Sequence, residues 1–274
     1  MNWNKRLLDT PIIGDLTKKI ASMKVNHDAH NIAEHFTQFL EPQVALNNAL
    51  KEEAFKIRHN VYCEELAFED VKEGGQEKDE FDEQSIFSLI KHKPTDTYTS
   101  CVRLVRIQEE EQLLPIEKFC LGSITNEELH PSRFNRSEIA EISRLAVKSD
   151  FRRRKTDKFK GSATGSIQEN SYSEVELRCF PFIAIGLYMA AATMAIDTGI
   201  KHAYVMMEPR LARSMKFVGI KFQQLGDPIE YHGLRAPYYI NPTMFLENLS
   251  PGFKHLYQAI ENDIGKQLGY LKTA

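Results

Sequence analysis

The sequence lacks the short loops that mark the commonest chemistries. It holds no G-x-x-x-x-G-K-[ST] phosphate loop, no dinucleotide fingerprint and no G-x-S-x-G nucleophile elbow. Phosphoryl transfer, hydride transfer and serine hydrolysis therefore lose their usual support. Cysteine is scarce: Cys63, Cys101, Cys120 and Cys179 are widely spaced in apolar settings, with no C-x-x-C pair. They read as reduced, buried thiols, not a disulfide framework. An excess of positive charge is also missing, since 35 Lys and Arg face 38 Asp and Glu for a net charge of -3. Bulk charge gives no reason to expect nucleic acid or an anionic membrane as a partner, so any basic function is local.

Long apolar runs are rare too. Residues 179–196 carry no charge, but they include Pro181, Gly186, Tyr188, Thr193 and five alanines. That run predicts a helix buried in the core and no transmembrane segment. The first ten residues have Lys5 and Arg6 but no apolar stretch of the length that export needs, so a cytoplasmic location is expected. His27, His30 and His35 have no carboxylate or thiolate companion at a ligand spacing, and no metal site is expected there.

Residues 1–41, polar with scattered apolar positions, predict a helical appendage. A short strand near Val44 leads into an amphipathic helix through Leu50, Ala54, Ile57 and Val61, with Arg58 at the border of its apolar face. An acidic, glycine-containing loop at 70–84 delivers Asp79 and Asp82. A β-hairpin at 86–107 holds Arg103, and a strand at 140–147 holds Glu141 and Arg144. The polar stretch 156–174 predicts a loop, 202–207 a strand, 211–218 a short helix and 221–225 the last conventional strand. Residues 243–274 predict a C-terminal helical extension packed on the main domain.

The charges inside these elements carry the chemical signal. Glu141 and Arg144 interrupt an apolar strand, and burying either one alone is costly, so both ask for partners. In a regular strand they point to opposite faces; a β-bulge would bring both to one face and release a backbone N–H able to hold an oxyanion. The bland alternative is a buried ion-pair network that only orients the loop. Phe151 is followed by Arg152, Arg153, Arg154 and Lys155, a run suited to phosphate oxygens or an acidic protein surface.

Four ordered segments then carry a resemblance: 58–62 (RHNVY), 77–82 (EKDEFD), 102–104 (VRL) and 141–147 (EISRLAV). In order and spacing they resemble the acyl-homoserine-lactone synthases. With the arginine run and 233–239 (GLRAPYY), they are more similar to the N-acyl amino acid synthases associated with the PEP-CTERM/exosortase system. The likeness covers about residues 42–242, and 208–222 also looks like the late helix and strand of GNAT enzymes.

The resemblance implies a GNAT-like α/β (α+β) fold over 42–242, a twisted mixed sheet with a central splay flanked by helices. It implies an acyltransferase moving a long-chain acyl group from acyl carrier protein, or from acyl-CoA, to a small-molecule amine, with an amino acid as the expected acceptor and no bound cofactor. Glu141 is the expected base, with Arg144 catalytic beside it. Arg58, Asp79, Asp82 and Arg103 organise the site, and residues 152–155 meet the carrier or its phosphopantetheine. The glycine-rich pyrophosphate loop of acetyl-CoA enzymes is missing, and the arginine run stands in its place, which favours the carrier protein as donor. A homoserine-lactone synthase using S-adenosylmethionine remains the first alternative, although Phe68 stands where those synthases usually have Trp. A non-catalytic module that binds acyl carrier protein or lipid is the second.

Overall fold

The computed structural model describes residues 28–152 and 182–273. The chain enters through helix α1 (Asp28–Phe39), whose Ile32 and Phe36, one turn apart, are buried against the domain. Strand β1 (Leu40–Val44), helix α2 (Asn48–Arg58), strand β2 (Ser85–His92) and strand β3 (Thr97–Arg106) follow. Next come α3 (Pro115–Cys120), β4 (Ile139–Val147), the single turn α4 (Ser149–Arg152), α5 (Ile183–Asp197) and β5 (His202–Met207). The chain closes with α6 (Pro209–Met215), β6 (Gln223–Gln224), β7 (Ile229–Glu230), β8 (Leu234–Ile240), α7 (Pro242–Asn248) and α8 (Pro251–Thr273).

The strands form one sheet in the order β1-β2-β3-β4-β5-β8-β6, with β7 paired to β8. Every pairing is antiparallel except β4 with β5, which is parallel and short: Ile139 opposes His202, Ala140 opposes Ala203 and Glu141 opposes Tyr204. Both strands run on beyond that point, to Val147 and Met207, without pairing to each other. The sheet therefore opens in its middle, immediately after Glu141.

One face of the sheet is covered by α5 and α8, which with α1 make the largest core. Helix α5, uncharged until its last residue, Asp197, is buried almost all round, as its composition requires. Gly186 lets α1 approach it closely: a Cβ there would stand 2.7 Å from the Phe36 ring. Among the described residues, no helix is long and apolar enough to cross a membrane. Helix α8 also blunts the edge strand β1, because Gln267 accepts from the Val44 N–H at 2.8 Å and donates to the Pro42 carbonyl at 3.1 Å.

The opposite face carries two separate apolar clusters, one under α2 (Phe55, Ile57, Leu89, Cys101, Ala146) and one under α3 (Val105, Ile116, Ile139, Tyr204, Tyr239). Between them on β3 and β4 lie Arg103, Glu141, Ser143 and Arg144. The expected α/β arrangement with a splayed sheet is what the chain adopts. The expectation at 221–225 needs correction: only Gln223 and Gln224 pair there, and the long late strand is β8, in which Pro237 opposes Met206.

Candidate functional site

The charges between the two apolar clusters are brought together by four chain segments. Arg58, the last residue of α2, is fully buried. Its guanidinium binds Glu77 through Nε, binds Asp82 Oδ1 at 2.6 Å and lies 3.7 Å from Asp79 Oδ2. Arg103 on β3 shares Asp82 Oδ1 at 2.6 Å, pairs with Asp79 and donates to Ser143 Oγ at 3.1 Å. Arg144 reaches Asp79 at 3.1 Å and Glu77 at 3.3 Å, with Glu69 at 3.7 Å near the rim. Three guanidinium groups thus meet three buried or half-buried carboxylates, a balance that makes their burial tolerable.

The acidic loop is held in place by its own backbone. Asp79 accepts from the Phe81 N–H at 3.0 Å while Asp82 accepts from the Asp79 N–H at 2.8 Å, a reciprocal cap that helps fix both carboxylates independently of the arginines. Burial pushes the Glu77 carboxyl up, but the Arg58 hydrogen bond and the Arg58 and Arg144 charges outweigh it, so its pKa ends below the ordinary value. Asp79 is likewise lowered: burial raises it, and Arg103, Arg144 and Arg58 together more than offset that.

Glu141 stands apart from this network. Its side chain is buried, and it accepts a hydrogen bond from the Ile116 N–H of α3 at 2.6 Å. Burial pushes its carboxyl up to about 8, with the Ile116 hydrogen bond and the Arg103 and Arg144 charges pulling the other way. Near neutral pH it is mostly protonated, yet it sits within reach of ionisation, as a proton acceptor for an ammonium group requires.

Glu141 and Arg144 do share a cavity, and the chain uses a bulge to put them there. The β3–β4 register jumps so that Cys101 opposes Ala146 while Arg103 opposes Ser143, which places Arg144 and Leu145 together opposite Val102. Arg144 itself takes the left-handed backbone, with φ of 51°. The carbonyl of Leu145 accepts from the Tyr62 hydroxyl at 2.8 Å. The second free edge lies on the other side of β4, where no pairing with β5 continues beyond Glu141 among the described residues. Tyr62 comes from the π-helical turn His59–Glu65 that follows α2, a wider turn of the kind often found beside functional sites.

The cavity is lined by Arg103, Glu141, Ser143 and Arg144 from β3 and β4, by Tyr62, Phe68 and Glu69 from the segment after α2, and by Pro115, Met206, Tyr231, His232 and Arg235. A second cavity, lined mainly by apolar side chains including Ile142, Tyr188, Ala203, Phe222 and Phe245, lies under the other face of the same strands. Adjacent residues of β4, Glu141 and Ile142, therefore look into different cavities at the point where the sheet opens.

Of the sequence candidates, Arg58, Asp79, Asp82, Arg103 and Arg144 form the network, and Glu141 lies beside it. Arg152 is paired with Glu65, whose other oxygen accepts from the Ser149 N–H at 3.0 Å. Arg153, Arg154 and Lys155 fall outside the described residues, as do Cys179 and the loop expected at 156–174. Sequence reasoning missed Glu77, Glu69 and Arg235 as site residues. Burial pushes the Cys101 thiol up to about 12 and the Cys120 thiol up to about 11, the reverse of what a nucleophilic thiolate needs.

Comparison with known proteins bears on the fold. Residues 57–160 match the model of the family described as an acetyltransferase (GNAT) domain. Those residues are thus similar to a GNAT acetyltransferase domain, and the enzymatic class is acyl transfer. Among solved structures, TofI in a ternary complex with an inhibitor and MTA aligns at a TM-score of 0.54 and 15% identity, over 76% of this chain and 95% of that one. A CoA-dependent acyl-homoserine lactone synthase, BjaI, with SAM and isopentyl-CoA, aligns at 0.51 and 18%, over 83% and 89%. FeeM, an N-acyl amino acid synthase from uncultured soil microbes, aligns at 0.49 and 12% over 77% and 94%. At these identities the likeness is one of fold. No curated protein matches the sequence significantly.

Proposed function

We propose that this chain is an N-acyltransferase that moves a long-chain acyl group from an acyl-carrier-protein thioester onto the amine of an amino acid, giving an N-acyl amino acid. The observation that carries the reading is the position of Glu141. A carboxyl raised to about 8 lines a polar cavity at the vertex of the splay, and its neighbour Ile142 lines an apolar cavity beneath. Amine chemistry belongs on the first side, and an aliphatic chain suits the second.

The acceptor arrives as an ammonium, and ionised Glu141 takes its proton. The free amine then attacks the thioester carbon, the carbonyl oxygen becomes an oxyanion, and as it collapses the C–S bond breaks; the second proton leaving the attacking nitrogen balances the one that converts the departing pantetheine thiolate to the thiol. Donors on the unpaired edges of β4 suit the oxyanion, and Arg144 at the bulge adds positive charge nearby. The ion-paired arginines and carboxylates hold the loop and strands that shape the acceptor side, which makes Arg58, Arg103, Asp79 and Asp82 positioning residues. Two buried, protonated thiols favour direct transfer over an acyl-cysteine intermediate. The carrier-protein donor rests on the basic sequence run 152–155, which replaces a pyrophosphate loop. A cytoplasmic location fits a donor of that kind.

The test is mass spectrometry of reactions containing the purified protein, palmitoyl-acyl carrier protein or palmitoyl-CoA, and either mixed amino acids or S-adenosylmethionine. An N-palmitoyl amino acid formed from the carrier-protein donor is expected. A homoserine lactone product would move the chain to the S-adenosylmethionine reading, and no product from any donor would sink acyl transfer altogether.

A further inference from the structure

The cavity holds three arginines, and their partners differ. Arg103 is committed to Asp79, Asp82 and Ser143, and Arg144 faces Glu77, Asp79 and Glu69. Arg235, on β8, has no carboxylate partner among the described residues. Its guanidinium lies 5.9 Å from the centre of the Phe68 ring, and its Nε is buried without a hydrogen-bond partner. A buried donor left empty costs about 1–3 kcal/mol, which a ligand oxygen recovers.

The register places Arg235 on the acceptor side. Glu141 opposes Tyr204 and Tyr204 opposes Tyr239, so these three share a face of the sheet. Stepping by two along β8 from Tyr239 through Pro237 reaches Arg235 on that same face, at the end of the splay away from the vertex. Arg235 and Arg144 thus stand on the two separated walls of the opening, with Glu141 where the walls join. Both Arg235 and Glu141 line the one cavity.

We infer that Arg235 anchors the carboxylate of the acceptor, holding an α-amino acid with its amine toward Glu141 and its carboxylate toward β8. A guanidinium presents a planar fork that matches two carboxylate oxygens, and the Phe68 ring beneath it restricts its plane. The acceptor class follows: primary amines that carry a neighbouring carboxylate, in preference to the same amines with that group amidated or removed. This inference rests on the acyl-transfer reading for the direction of the amine, and on Arg235 alone for the carboxylate.

The test measures binding and transfer separately. Calorimetric titration of the protein with the twenty L-amino acids, and with the carboxamides of those that bind, reads the anchor without any chemistry. Palmitoyl transfer to the same compounds then reads the reaction. Wild type is expected to bind an amino acid at least about tenfold more tightly than its carboxamide, corresponding to about 1.4 kcal/mol. In R235Q that preference is expected to disappear, with KM for the amino acid raised about 10- to 100-fold and kcat for the carboxamide little changed; R235K is expected to restore part of the preference. Equal binding of acid and amide by wild type, binding of no amino acid, or a preference that survives in R235Q would each overturn the anchor. Binding that follows the expected pattern without any acyl product would leave the anchor standing and defeat the transfer reading.

Discussion

The two sides of the polar cavity treat charge in opposite ways. Toward β3 and the acidic loop, Arg58, Arg103 and Arg144 are matched by Glu77, Asp79 and Asp82, with nearly every oxygen engaged. Toward β8, among the described residues, Glu141 holds a single backbone N–H and Arg235 holds no carboxylate. Charges matched by carboxylates fix geometry, since a ligand would have to displace a partner of equal strength, even though Arg58 Nη2 and Arg144 Nε are, like Arg235 Nε, buried without a hydrogen bond. Unsaturated ones keep a free valence for substrate, and the difference assigns positioning to the first set and chemistry to the second.

The largest expected effect breaks the second side. Glu141→Gln keeps an oxygen for the Ile116 N–H but loses the base, and transfer is expected to slow by about 100- to 10,000-fold with the fold retained. The wild-type pH profile of kcat/KM is expected to climb as Glu141 ionises and to level above about 8, and this limb is absent in the variant. Stability runs the other way. Because the folded pKa lies above the ordinary carboxylate value, the contribution of Glu141 is complete at low pH and is lost as pH rises through about 8. Thermal melts between pH 5 and 9 should show that decline in wild type and a flatter curve in E141Q. Equal rates, or identical melting profiles, would remove Glu141 from its role.

Breaking the first side should cost stability before it costs chemistry. Arg58→Met leaves Glu77 buried without its main partner and Asp82 with Arg103 alone, and a loss of about 3–5 kcal/mol in chemical denaturation is expected. A loss under about 1 kcal/mol would mean that the network relaxes around the gap and does not hold the loop. In wild type, Glu77 and Asp79 have lowered pKa values, so their contribution persists above the ordinary carboxylate range and is lost only as pH falls through the depressed values. Denaturation midpoints followed downward from pH 6 should show this late acid limb, and it should shorten in D79N.

These two sides were not equally legible in the sequence. Two opposite charges three residues apart in an apolar strand demand reconciliation, and the spacing raised a bulge as one way to reconcile them, beside a buried ion-pair network that only orients the loop. The strand at 202–207 and the buried helix within 179–196 were also plain, because their apolar runs have no other stable use. Glu77 was hidden because an acidic loop looks solvated until Arg58, nineteen residues earlier in the chain, is folded against it. Arg235 was hidden for a different reason. Pro237 lacks an N–H and argues against a strand, so β8 went unread and the face on which Arg235 lies had no period to reveal it.

The smallest effect sharpens the comparison at its hinge, since Arg144 belongs to the saturated side by its partners and to the open side by its bulge. Its φ of 51° is a conformation in which a side chain crowds the backbone and glycine does not. Arg144→Ala and Arg144→Gly both delete the contacts to Glu77 and Asp79, so their difference isolates the backbone. The glycine variant is expected to be the more stable by about 1 kcal/mol in paired denaturation curves. The reverse order would mean that the extra residue sits elsewhere in the turn and that the bulge does not depend on position 144. With the expected order, the strain at Arg144 is what the chain accepts to put a guanidinium on the same face as Glu141, and both variants should lose transfer alike while differing in stability.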